Sequence, residues 1–124
     1  MIKMEKNKTL VLGASDNPAR YSNMAIRMLR NHGHDVAAIG AKDTRVEDVE
    51  VSREKSMRED IDTVTLYLNP VLQQPYYDYI LSLNPRRIIY NPGTENPELQ
   101  EMAEKRGIEN MEACTLVLLS TSQY

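Results

Sequence analysis

The chain has one cysteine, Cys114, and neither phenylalanine nor tryptophan among its 124 residues. A lone cysteine excludes an internal disulfide and any cysteine-rich metal site. The two histidines, His32 and His34, flank Gly33. A lone His-x-His pair is a weak metal signal, so they read as polar residues of a helix-ending turn and no metal site is assigned. Basic charge is not in excess: 15 Lys and Arg face 18 Asp and Glu, for a formal net charge of −3. That leaves no positive field to hold a phosphate backbone, so no nucleic acid partner is expected. No apolar run approaches membrane-spanning length, and Met1 to Lys8 lacks the apolar stretch of a signal peptide. The expectation is a cytoplasmic chain without a membrane partner. Linkers, repeats and low-complexity segments are also missing, so residues 1–124 read as one domain.

What is present is a regular alternation of strand and helix patterns. Thr9–Leu12 is a short apolar run ended by Gly13, the mark of a buried parallel strand. After the turn-rich Ala14–Tyr21 the spacing predicts a helix from about Ser22 to His32. Ser22 serves as its N-cap, Gly33 as its stop, and Asn23 and Arg27 lie on its solvent side. Val36–Ile39, ended by Gly40, is a second strand. Ala41–Asp62 is densely charged and reads as a solvated crossover, with Val46, Val49 and Val51 hinting at a short edge strand. Thr63–Leu68 is predicted as the third strand. Asn69-Pro70 then leads to a helix whose main part opens at Pro75. Arg87–Tyr90 is a fourth strand, and Asn96-Pro97 caps and starts a helix that Gly107 ends. Ile108–Met111 is a fifth strand, and Cys114–Leu119 a short terminal helix.

This order implies a Rossmann-like, doubly wound α/β fold, with a mainly parallel five-stranded sheet and helices on both faces. Such sheets bind ligands beyond the carboxyl ends of their strands. The topology therefore nominates Gly13, Ala14 and Ser15, then Gly40 and Lys42, Asn69 and Pro70, and Asn91 with Gly93. The first turn is the most informative of these. Phosphate binding needs small residues, exposed backbone N–H groups and a helix N-terminus. Gly13-Ala14-Ser15 supplies the small residues. Arg20 adds two parallel N–H donors and Ser22 a hydroxyl. The full dinucleotide fingerprint is absent: the turn reads G-A-S-D-N-P-A-R-Y-S, and the second strand ends in Gly40-Ala41-Lys42 with no acid for a ribose. Lys42 suits an extra ribose phosphate, as in coenzyme A or NADP, and equally suits a solvated loop.

Val11-Leu12-Gly13-Ala14-Ser15, followed by Asn17-Pro18, Arg20 and Ser22, resembles the first motif of the small stand-alone coenzyme A-binding domain proteins. These are relatives of the coenzyme A-binding domain of succinyl-CoA ligases. Gly33, Ser56-Met57, Asp62-Thr63-Val64, Pro75, Gly93, Ala103 with Gly107, and Cys114 continue the match, so it runs from about Lys8 to Cys114. The resemblance implies a Rossmann-like fold that binds coenzyme A without chemistry of its own. It places Gly13, Ala14, Ser15, Arg20 and Ser22 on the pyrophosphate, the end of the second strand at the adenosine, and Asn69-Pro70 and Asn91–Gly93 along the rest of the cleft. The family usually carries a Pro-Val-Asn-Pro-like segment where this chain has Ala38-Ile39-Gly40-Ala41, so the asparagine contact to adenosine is lost.

No catalytic residue is assigned. Cys114 lacks an evident base, and Glu112 beside it disfavours a thiolate. It reads as a packed residue that could face the thiol end of a cofactor. The expectation is a coenzyme A or acyl-CoA binding protein. Two alternatives remain: an NAD- or NADP-binding small domain, or a chain acting through contacts with a protein partner.

Overall fold

Leu10, Val11 and Leu12 have no exposed surface, as a strand that is apolar on both faces requires. The computed structural model, which describes residues 6–124, puts them in the middle of β1 (Lys8–Ala14). The chain continues through α1 (Tyr21–Asn31), β2 (Asp35–Gly40), β3 (Thr44–Val46), β4 (Val49–Ser52) and β5 (Ile61–Leu66). Then come α2 (Pro70–Gln73), a 3-10 turn (Gln74–Tyr76), α3 (Tyr77–Ser82), β6 (Arg87–Tyr90), α4 (Pro97–Glu104), β7 (Glu109–Glu112) and α5 (Thr115–Ser120).

The strands form one sheet in the order β3-β4-β2-β1-β5-β6-β7. Every pairing is parallel except β3 with β4. The fold is thus Rossmann-like and mostly parallel, but the sheet has seven strands where five are expected. The extra two come from the charged crossover. Val46, Val49 and Val51 are buried there at alternating positions, while Arg45 and Glu50 point outward and pair at 3.0 Å. Alternation over so few residues marks half-buried strands that are too short to stand out in the sequence.

Side chains alternate across the sheet and build two cores. Leu10, Leu12, Ile39, Leu66, Ile80, Leu83, Tyr90, Leu99 and Ala103 fill one face. Val11, Ile26, Leu29, Ala38, Val51 and Leu119 fill the other. β1 lies between β2 and β5. The chain leaves β1 toward β2 on one side and returns to β5 on the other, so the switch point falls at the carboxyl end of β1.

Four local expectations change. Arg20, not Ser22, is the N-cap of α1, with φ −83° and ψ 142°, and Ser22 is buried inside the first turn. Asn23 is also buried, because its Nδ2 donates to the Ser15 carbonyl at 3.0 Å. The third strand begins at Ile61 and ends at Leu66, two residues earlier than Thr63–Leu68. Pro75 lies in the 3-10 turn between two short helices and does not open α3. The caps at Asn69 and Asn96 form as their chemistry dictates, each Oδ1 accepting an N–H three residues on, from Leu72 and Leu99.

At the amino end of the sheet, away from that switch point, Arg87 is buried. It donates from Nε to Thr63 Oγ1 at 2.9 Å, and its guanidinium lies 4.6 Å from the Tyr124 ring. His34 meets the same ring edge-on at 4.8 Å. Both histidines therefore belong to this end. Among the described residues no group of three or more His, Cys, Asp or Glu converges as a metal site, and no helix is long and apolar enough to cross a membrane.

Candidate functional site

The turn after β1 is shaped by close approach. Gly13 has φ +98°, and a Cβ there would lie 3.0 Å from the Tyr67 backbone and 3.1 Å from the Leu68 side chain. Only glycine satisfies both the backbone and the space. Beyond it the loop ties itself down. The Ser15 Oγ accepts the Asn17 N–H at 3.1 Å, and Asn17 Oδ1 accepts the Ala19 N–H at 3.0 Å. Asn23 reaches back from α1 to Ser15. These bonds fix the N-terminus of α1 opposite the strand tip. The first N–H groups of an α-helix have no partner within it and carry its positive dipole end. Arg20 sits at that terminus, exposed, with no side-chain hydrogen bond or ion pair among the described residues.

A cleft of about 370 Å³ opens here. Gly13, Ala14, Ser15, Arg20 and Ser22 line it, so the structure brings together the five residues of the first turn. Ala41 borders it on the β2 side. The far wall is Tyr67 and Leu68 after β5, with Pro92 and Thr94 after β6.

The other nominated residues are not on this wall. Gly40 is buried in the sheet; a Cβ there would fall 2.3 Å from the Ala14 carbonyl oxygen and 2.9 Å from Val51. Its role is to let β2 close against the irregular end of β1. Lys42 pairs with Asp16 at 3.2 Å, and Asp16 also accepts the Thr44 hydroxyl at 2.9 Å. The Thr44 hydrogen bond, then Lys42, hold the Asp16 carboxyl below its ordinary range. Asn69 caps α2, and Pro70 is its first residue. Gly93, at φ +91°, donates its N–H to Glu95 at 2.8 Å. Asn91 is committed to the scaffold. Its Nδ2 donates to Thr65 Oγ1 at 2.7 Å and to the Leu66 carbonyl at 2.9 Å, and its Oδ1 accepts the Thr115 N–H at 2.8 Å.

A second cavity of about 240 Å³ adjoins the first and shares Tyr21, Tyr67 and Pro92 with it. Asn91, Cys114 and Leu116 complete its walls. The Tyr67 hydroxyl is buried beside the Thr65 and Thr115 hydroxyls and makes no hydrogen bond of good geometry among the described residues. Burial pushes its pKa up to about 12, against a smaller opposing pull from the nearby Thr65 and Thr115 hydroxyls. Those two hydroxyls bond each other at 2.8 Å.

Sequence reasoning missed Tyr21, Tyr67, Leu68, Thr94 and Leu116 as wall residues. The signal for Tyr67 and Leu68 was available. With β5 ended at Leu66, the rule that ligands sit beyond strand tips points to them instead of Asn69 and Pro70. Thr94 is fixed locally by its hydroxyl and N–H on the Asn91 carbonyl, and across the fold by Gln73 on its own carbonyl, a contact between distant segments that no local pattern announces.

The chain matches the family described as CoA binding domain over residues 7–120. A crystal structure of an uncharacterised protein superposes with a TM-score of 0.92 at 45% identity, and the match covers 99% of this chain and 100% of that one. A Thermus thermophilus protein, cell-free ID.343, superposes with a TM-score of 0.85 at 20% identity, over 96% of this chain and 91% of that one. A dinucleotide-forming acetyl-coenzyme A synthetase of Candidatus Korarchaeum cryptofilum, in complex with phosphate and ADP, shares the fold at a TM-score of 0.70 and 16% identity. It covers 88% of this chain, and the match spans 26% of that one. No curated protein matches.

Proposed function

The chain belongs to the CoA binding domain family, and from that premise we propose that it is a binding module for coenzyme A or an acyl-CoA, with no catalytic activity of its own. The observation that carries this reading is the cleft of about 370 Å³ in which Arg20, without an ion-pair partner among the described residues, and the N-terminus of α1 face the Gly13–Ser15 turn.

The pyrophosphate lies over that turn. Backbone N–H groups at the start of α1, the Arg20 guanidinium and the Ser22 hydroxyl donate to it. Gly13 keeps the floor open, because a side chain there would displace the Tyr67 backbone. The adenosine points toward Ala41 and the end of β2, where Lys42, after release from Asp16, is the cation available to a ribose phosphate. The pantetheine arm runs along Tyr67, Leu68 and Pro92. Among the described residues the carboxylates near the end of β2 are already engaged, Asp16 by Thr44 and Lys42 and Asp43 by the Arg53 N–H and guanidinium. Nothing here favours NAD or NADP over coenzyme A.

Calorimetric titration with coenzyme A, acetyl-CoA, NAD and NADP tests the proposal. Heat with the coenzyme A forms alone is expected. Binding of nicotinamide forms alone would replace the reading, and silence with all four ligands would leave a chain that acts through a protein partner.

A further inference from the structure

The two ends of the cleft differ in charge. At the start of α1, Arg20 has no ion-pair partner among the described residues. Beyond β2, each cation is already matched. Lys42 Nζ lies 3.2 Å from Asp16, Arg45 3.0 Å from Glu50, and Arg53 3.7 Å from Asp43. Residues 41–54 hold three Lys and Arg against five Asp and Glu, so the local field is negative before any ligand arrives. The Lys42–Asp16 pair stands at the rim. Ser15 and Ala41 line the cleft from the loops after β1 and β2; Asp16 and Lys42 are the next residue of each loop. Asp16 Oδ2 takes both the Lys42 ammonium and the Thr44 hydroxyl, at 3.2 and 2.9 Å, and so ties the two loops together. The Thr44 hydrogen bond, then Lys42, keep that carboxyl below its ordinary range, so it is ionised at neutral pH.

We propose that Asp16 cancels the ribose-phosphate contact, so that the chain takes 3′-dephospho-coenzyme A about as well as coenzyme A. This rests on the coenzyme A reading, because the pyrophosphate over the first turn is what directs the nucleoside toward Ala41. A phosphate dianion brought to Lys42 meets Asp16 too. It gains the ammonium only as the existing pair opens, and the freed carboxylate then repels it. Both side chains are exposed, at 68% and 37%, where one ion pair is worth little more than the one it replaces. The exchange therefore leaves almost no net gain for the 3′-phosphate. The pyrophosphate is common to both ligands and meets the opposite situation, a guanidinium with no carboxylate to leave. Asp16 acts through Lys42 and is a specificity-determining residue that touches neither the pyrophosphate nor the pantetheine arm.

The test titrates the intact chain with coenzyme A and with 3′-dephospho-coenzyme A and compares the two Kd values. In the parent they should agree within about twofold. Asp16→Asn keeps an oxygen for the Thr44 hydroxyl but frees Lys42, and should raise the preference for coenzyme A about two- to fivefold over the parent. That gain should shrink as salt is added, as an exposed charge contact does. Adding Lys42→Ala to Asp16→Asn should abolish it, since it runs through the ammonium. If neither ligand binds the parent, the coenzyme A reading falls and the role of Asp16 falls with it. If both bind but coenzyme A is tenfold or more the tighter in the parent, or if Asp16→Asn leaves the ratio where it was, only the role given to Asp16 is overturned.

Discussion

Replacing Gly40 by alanine separates two roles that its position allows, ligand contact and sheet closure. The Cβ of Gly40→Ala would stand 2.3 Å from the Ala14 carbonyl oxygen and 2.9 Å from Val51 Cγ1. The first is a backbone atom of the turn that forms the cleft, so no side-chain rotation relieves the contact. Either β2 separates from β1 or the turn moves. Overpacking of this kind costs about 1–3 kcal/mol. Against it stands the gain from a less flexible unfolded chain, about 0.4–1 kcal/mol for Gly→Ala at an unstrained site. Gly40 is not among the glycines with positive φ, so that gain applies in full. The net is a loss of about 1.5 kcal/mol. With a urea m-value of about 2 kcal/mol/M, the unfolding midpoint should fall by roughly 0.7 M. Because the atom that must yield belongs to Ala14, coenzyme A affinity should fall in the same variant. A Gly40→Ala protein as stable as the parent would refute the packing argument. A loss of binding without loss of stability would return Gly40 to a direct ligand role.

Three further outcomes follow from single contacts. Arg20→Ala should weaken coenzyme A by about 1.5–3 kcal/mol, roughly ten- to a hundredfold, with little change in urea midpoint, since its guanidinium has no other partner among the described residues; an unaltered Kd removes Arg20 from the site. Asn91→Ala should destabilise by about 2–4 kcal/mol, because it strands the Leu66 carbonyl and the Thr115 N–H in the interior. A variant that keeps its melting temperature while losing ligand would instead make Asn91 a ligand contact. His34 has its pKa lowered by burial first, then by His32 and Arg87. The unfolded state therefore takes up the proton first as pH falls, so stability present above about pH 6.5 is lost from there down to the lower folded pKa. The urea midpoint should drop across that window in the parent chain and drop less in His34→Gln; parallel profiles would show that His34 contributes nothing.

The fold was legible where the signal is local. Apolar runs ended by Gly13 and Gly40 gave β1 and β2. Asn96 with Pro97, and Gly107 ten residues later, bounded α4. The crossover was only half legible. β3 and β4 have three and four residues, and their charged outer faces outweigh three buried valines in any sequence window. At the start of α1, Ser22 looked like a cap because small hydroxyl residues usually are. Backbone bonds from Arg20 to Asn17 and from Asn23 and Met24 to Arg20 put the boundary earlier, and Asn23 then turns inward to hold Ser15.

The sequence by itself determined the alternating α/β order and the small-residue turn at Gly13–Ser15 with Arg20 following, because strand runs, turn chemistry and helix starts depend on neighbours a few positions apart. Tertiary structure alone decided what faces that turn. Tyr67, Pro92 and Cys114 come from three separate strand ends and meet in adjoining cavities. Lys42 is drawn to Asp16, Asn91 is taken up by β5 and α5, and Gly40 is closed against Ala14. Each of these outcomes depends on which strands lie side by side, and short-range sequence pattern carries little information about that.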